Sequence, residues 1–277
     1  MGKREGYDPG TFSWVDLSTS DVGGAKDFYG GLFGWEFTDD EIEGTYTVCH
    51  LRGDVVAAMV QQDQHPGHWN NYVAVDCVEK TTEKAKELGA GVLEDPFDVT
   101  EPGRMAVLAD PDGALLCVWE ARDHIGAGRV GDPGCMAWNE LQSRAPEKAS
   151  SYYAELFGWQ AQPIEQDGAI VYVTIKNTNG WLNGGIMPMT QQPDDAPSSW
   201  LTCFTVPSSD GAVERAKELG GALVAGPMQP GMGSIAVLND PRGAVFAVFA
   251  GAYGTLSTVG SCLTDGACDV RTSLLLR

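Results

Sequence analysis

The sequence predicts an α+β protein built as two copies of one domain, each copy made of two βαβββ modules. Three repeated stretches predict this. "FYGGLFGW" at 28–35 returns as "YYAELFGW" at 152–159, and "AKELGAG" at 85–91 returns as "AKELGGA" at 216–222. "MAVLADPDGALLCVW" at 105–119 returns as "IAVLNDPRGAVFAVF" at 235–249. The offsets agree: Trp138 follows Trp14 by 138 − 14 = 124, Trp159 follows Trp35 by the same 124, and Trp200 follows Trp69 by 200 − 69 = 131. Landmarks in fixed order at a nearly fixed offset mark a tandem duplication, with loop lengths absorbing the drift.

The elements follow in order. "FSWVDLST" (12–19) alternates polar and apolar residues as a strand does. "SDVGGAKDFYGGLF" follows as a helix that Ser20 or Asp21 can cap. In the second copy Pro146 stands in the first helical turn, where proline is tolerated. Gly34 and Gly158 fall where a helix C-terminus takes a left-handed residue. Strands are expected at 45–51, 54–60 and 70–76, then a helix over "KTTEKAKELG" ending on Gly89. Two last strands flank "DPDG" (110–113), which has the Asp, Pro and Gly spacing of a type I turn, and "DPRG" (240–243) repeats it. The expected domains are 1–123 and 135–251, joined by a Gly-rich linker at 124–134 and followed by an extension at 252–277. Phe28, Leu32 and Phe33, like Tyr152, Tyr153, Leu156 and Phe157, form an aromatic stripe at helical spacing and belong to a core.

Composition excludes several functions. A formal charge of −20 repels phosphate backbones and anionic lipid, so neither nucleic acid nor membrane is expected as a partner. No apolar run approaches the ~20 residues a membrane helix needs. Seven cysteines at scattered positions suggest reduced thiols, and "MGKREGYDPG" lacks an apolar leader, so a cytoplasmic address is expected. No P-loop, nucleophile elbow or dinucleotide fingerprint occurs. The expected assembly is a monomer, as a tandem pseudo-dimer, or a homodimer.

The doubled βαβββ module closing on "LADPDG" and "LNDPRG" resembles the vicinal oxygen chelate superfamily, which contains glyoxalase I, bleomycin-resistance proteins and extradiol dioxygenases. It looks most like the actinobacterial type with two such domains in one chain. The resemblance spans about residues 11–121 and 135–250. It implies that each domain is a curved, incomplete barrel whose concave face takes the ligand. In the enzymes of the superfamily it also implies a divalent metal, held by His or Gln on the first strand, His on the fifth and Glu on the eighth. Those positions fall on Trp14, Asn70 and Cys117 in the first copy and on Trp138, Leu201 and Ala247 in the second. Trp, Leu and Ala cannot ligate, and the first copy keeps only Asn70, a poor donor, and Cys117, a good one if ionised, so no cofactor is expected. The runner-up is a divalent transition metal on Asp16, His68 and Cys117, which a two-residue slip on the same strand face would supply. The matching places in the second copy hold Glu140 and Ser199.

Strand parity turns Trp14, Asp16 and Ser18 inward, with Asn70, Tyr72, Cys117 and Trp119. In the second copy it turns Trp138, Glu140, Leu201, Cys203 and Phe249 inward. Aromatic walls beside one carboxylate fit a small hydrophobic or aromatic ligand, a metabolite or antibiotic that is sequestered or converted without metal. In a conversion, Asp16 or Glu140 is the acid–base group, and Arg104, expected at the cleft rim, steadies an oxyanion. The alternatives are a metal-dependent lyase, isomerase or dioxygenase and a non-catalytic interaction module. The first copy, having kept more polar groups, is the favoured working site. "HPGH" (65–68) reads as a solvated loop, and neither His50 nor His124 has a partner that the sequence names.

Overall fold

A computed structural model describes residues 2–39, 46–63, 66–99, 101–190, 192–193, 195–229 and 233–251. His65 of the "HPGH" loop and the extension with Cys262 and Cys268 lie outside the described residues. After β1 (Gly2–Lys3), the first copy runs β2 (Phe12–Thr19), α1 (Val22–Phe33), β3 (Glu36–Asp39), β4 (Tyr46–Leu51) and β5 (Asp54–Gln61). It continues with β6 (His68–Ala74), α2 (Val78–Glu87), β7 (Gly91–Val99), β8 (Gly103–Ala109) and β9 (Leu115–Ala121). After β10 (Arg129–Val130), the second copy runs β11 (Met136–Ser143), α3 (Pro146–Phe157), β12 (Gln160–Gln166), β13 (Ala169–Lys176) and β14 (Leu182–Pro188). It closes with β15 (Ser199–Thr205), α4 (Ser209–Glu218), β16 (Ala222–Met228), β17 (Ser234–Asn239) and β18 (Val245–Ala250). This is the βαβββ order that the sequence predicts, twice in each copy.

Each copy forms one eight-stranded sheet, ordered β3-β4-β5-β2-β6-β9-β8-β7 and β12-β13-β14-β11-β15-β18-β17-β16. At the centre β2 and β6 pair antiparallel, while β5 joins β2 and β9 joins β6 in parallel. The end strands of each sheet do not pair with each other, so each sheet is a curved, incomplete barrel. Local chemistry sets the helix ends. The Gly24 amide donates to the Asp21 carboxylate at 2.9 Å, and Gly34 closes α1 at φ 74°.

The repeated words join the two copies rather than filling each one separately. The Tyr29 hydroxyl on α1 donates to Asp240 Oδ2 of the second copy's DPRG turn at 3.2 Å and accepts from Trp69 Nε1 at 3.1 Å. The mirror set repeats it: Tyr153 on α3 donates to Asp110 Oδ2 at 2.9 Å and accepts from Trp200 Nε1 at 3.0 Å. Each turn aspartate therefore works twice. Its Oδ1 accepts two amides of its own turn, and its Oδ2 holds a tyrosine of the other copy. The cores cross in the same way: Phe204 packs on Phe33 at 5.0 Å and Trp69 at 5.1 Å, and Phe12 packs on Trp159 at 5.5 Å and Trp200 at 5.0 Å. Among the described residues, no helix is long and apolar enough to cross a membrane.

Candidate functional site

The central strands of each sheet present the concave-face residues. In the first copy, register pairs Trp14 with Tyr72, Asp16 with Asn70 and Ser18 with His68 across β2 and β6, and Tyr72 with Cys117 across β6 and β9. Paired residues share a face, so these side chains converge. Tyr72 donates to Asp16 Oδ2 at 2.6 Å, and Asn70 Nδ2 donates to Asp16 Oδ1 at 2.7 Å and to the Ser18 hydroxyl at 3.0 Å. Trp14 Nε1 donates to Tyr46 at 3.3 Å. Asp16 is only 3 % exposed, and burial raises its pKa to about 6 against the pull of its two donors. Burial likewise pushes the Cys117 thiol well up, so it stays protonated.

The second face carries a related cluster wired differently. Trp138 Nε1 donates to the Tyr172 hydroxyl at 3.0 Å, Tyr172 hydrogen-bonds Glu140, and Gln142 Nε2 donates to Glu140 at 2.6 Å. Burial raises Glu140 to about 7, although it keeps some solvent-exposed surface. Trp138, Cys203, Ala247 and Phe249 pack as the floor, with Leu182, Leu201 and Ile235 at its margin.

Parity named Trp14, Asp16, Asn70, Tyr72, Cys117, Trp119, Trp138, Glu140, Leu201, Cys203 and Phe249. It missed the two tyrosines that receive the tryptophan N–H groups, Tyr46 and Tyr172. They sit at equivalent places on β4 and β13, and their offset, 172 − 46 = 126, was legible in the repeat. The phenol beside the carboxyl comes from β6 in the first copy and from β13 in the second. Gly185 explains the difference. A Cβ there would stand 1.9 Å from the Tyr172 hydroxyl, whereas its first-copy counterpart is Ala58, opposite Asp16. We expect Gly185→Ala to expel Tyr172 from Glu140 and Trp138 and to destabilise the protein by about 1–3 kcal/mol. A urea denaturation curve superimposable on the parent's would refute the placement.

Arg104 does not reach the cleft rim. It pairs with Glu120 in register, so it takes the convex face of β8, while Met105 and Val107 share the concave face with Trp119 and Cys117. There it forms ion pairs with Glu79 and Asp98. The slipped ligand set also fails. His68 and Tyr72 are four residues apart on one strand, about 13 Å at ~3.3 Å per residue, and Cys117 lies beside Tyr72. One ion cannot bridge His68 and Cys117. Among the described residues, the donors that do converge are Cys77, Glu79 and Glu120, whose ligand atoms lie within 4.8 Å of one another. Arg104 already neutralises Glu79, and Glu120 accepts the Val78 amide at 2.8 Å. The expected ligand positions of the concave faces hold Trp14, Asn70 and Cys117, and Trp138, Leu201 and Ala247, whereas Cys77, Glu79 and Glu120 are a grouping that could hold an ion away from them. A groove of about 400 Å³ lies between the two copies beside Asp110, Pro111, Glu147 and Tyr152.

Residues 14–119 and 139–249 match the glyoxalase-like domain family. The chain belongs to that family. Among its relatives, the Mycobacterium tuberculosis (strain CDC 1551 / Oshkosh) protein named "Putative glyoxylase CFP32" is 35% identical over 257 residues, covering 90% of this chain and 97% of the relative. The "Anthracycline biosynthesis protein DnrV" of Streptomyces peucetius is 32% identical over 263 residues, covering 87% and 94%. The Mn(II)-bound glyoxalase of Novosphingobium aromaticivorans superposes with a TM-score of 0.63 over 90% of this chain and 83% of its own. At 16% identity that likeness shows a common fold alone. This glyoxalase-like protein thus keeps the tandem architecture while its concave faces carry tryptophan, tyrosine and carboxyl groups where metal ligands are expected.

Proposed function

We propose that this glyoxalase-like protein binds a small hydrophobic or aromatic metabolite or antibiotic without a metal. One observation carries the reading. On each concave face a tryptophan bonded to a tyrosine stands at the first-strand ligand position, beside a single carboxyl group. Indole walls take a planar ring, and the carboxyl takes a hydroxyl or moves a proton. A relative's name links it to anthracycline biosynthesis, which supports a polycyclic aromatic ligand here. Where the ligand is converted, Glu140 is the acid–base group that keeps solvent access, and burial tunes it near neutrality.

The test uses protein purified without chelator or metal-affinity tag. Metal content by mass spectrometry is expected to be far below one per chain, and a planar aromatic ketone is expected to quench tryptophan emission saturably. About one tightly held transition metal per chain, with unfolding on chelation, would make it a metal-dependent lyase, isomerase or dioxygenase instead. Unquenched emission and an unshifted melting temperature with every aromatic tried would leave the interaction module.

A further inference from the structure

The linker puts a ring of its own on the first concave face. After β9 the chain turns back across the first face. The amides of Arg122 and His124 donate to the Pro102 carbonyl at 3.0 and 3.1 Å, Ala127 donates to Ser13 at 2.8 Å, and Gly128 donates to Val55 at 2.8 Å. Gly126 lies at φ 109°, and a Cβ there would stand 2.4 Å from the Ser13 carbonyl oxygen, so a glycine lets the strap lie this close. The strap carries one ring inward. The His124 imidazole stands edge-on to Trp14 at 4.5 Å and 85° and to Trp119 at 5.8 Å and 71°, and Trp119 Nε1 donates to the His124 carbonyl at 2.8 Å. Burial pushes His124 down to about 4, so the ring is neutral at physiological pH. Beneath it, Tyr72 and Asn70 take one oxygen each of Asp16. The first face has its ring in place, and its carboxyl is held by a phenol and an amide as Glu140 is by Tyr172 and Gln142.

The second face has the same indole and carboxyl but keeps access. The difference lies at one pair of matched positions: Glu140 and Gln142 retain exposed surface, whereas their counterparts Asp16 and Ser18 are 3 % and 1 % exposed. The floor beside Glu140 offers an acceptor, the Gln142 amide and aliphatic margins.

Resting on the aromatic-cleft reading, we infer that ligand binds at the second face alone, one per chain, and that His124 closes the first by occupying a ligand ring's position. This reverses the preference for the first copy drawn from its polar residues. The ligand class is an uncharged planar aromatic bearing a hydroxyl next to a carbonyl, with the hydroxyl toward Glu140 and the ring against Trp138 and Leu201.

The experiment titrates 1,8-dihydroxyanthraquinone into the full chain, reading stoichiometry by calorimetry and site identity by variants. Wild type is expected to bind one probe. His124→Ala empties the cage and is expected to bind two, whereas His124→Leu keeps it filled and is expected to bind one. Ala247→Leu thickens the second floor and is expected to weaken the wild-type site at least tenfold. Two sites in wild type, one site in a folded His124→Ala chain, or unchanged affinity in Ala247→Leu would each overturn the assignment while leaving the aromatic-cleft reading standing. No probe bound by any variant overturns both.

Discussion

A chain ending at residue 123 is expected not to fold. Its own sheet would be intact in sequence, but aromatic residues of the second copy cover α1 and β6. Phe204 is 0 % exposed between Phe33, Trp35 and Trp69, and Phe246 packs on Phe28, Tyr29 and Phe33. Without them these aromatics face water, and the Tyr29 hydroxyl loses Asp240. A domain of this size has only about 5–15 kcal/mol of net stability, and several large aromatic side chains at ~2–3 kcal/mol of burial each exceed that margin. In the intact chain the same interface predicts that Phe204→Ala costs about 3–5 kcal/mol and that both copies melt in one transition. Circular dichroism and dye binding on residues 1–123 decide the first part. A cooperative melt of that fragment would show that the copies are independent units. Two separated transitions in the Phe204→Ala chain would refute the common core.

Stability is expected to depend on the charge of Glu140. In the unfolded chain a glutamate titrates near ~4.3. In the fold Glu140 holds its proton up to about 7, because burial penalises the charged form more than Tyr172 and Gln142 support it. Between those values the folded state binds more protons than the unfolded state. Glu140's contribution is therefore most favourable below about 4, declines as pH rises and levels off above about 7. The linked penalty is on the order of 3 kcal/mol, and Glu140→Gln removes it. The variant is expected to match wild type near pH 4.5 and to melt about 5–10 °C higher near pH 8. Asp16, raised to about 6, acts in the same direction over a lower window. Carboxylates such as Asp21, lowered by the Gly24 amide and Arg242, and Asp54, lowered by Lys3 and Arg129, act oppositely, so the difference between variant and wild type is the quantity to read. A pH-independent difference would show that Glu140 titrates like an exposed glutamate.

Much of the site could be read from alternation. Trp14, Asp16, Asn70, Tyr72 and Cys117 share a face because side chains in paired strands alternate with period 2, and the order of strands was visible in the repeat. Arg104 was misjudged because its place was counted from the preceding glycine. Parity is set by which residue of β9 it opposes, and that residue is Glu120. Tyr172 was overlooked because its reach to Glu140 depends on a glycine on a neighbouring strand.

The sequence by itself determined the duplication, the βαβββ order and the DPxG turns. Each of these is local or periodic and is written in consecutive residues. Tertiary structure alone decided that Tyr29 meets Asp240 and Tyr153 meets Asp110, that Arg104 turns away from the cleft, and that His124 lies on Trp14 and Trp119. Those contacts join residues up to 211 positions apart. They exist only once the two sheets have packed and the linker has been pinned across one of them, and no periodicity along a single strand or helix encodes that.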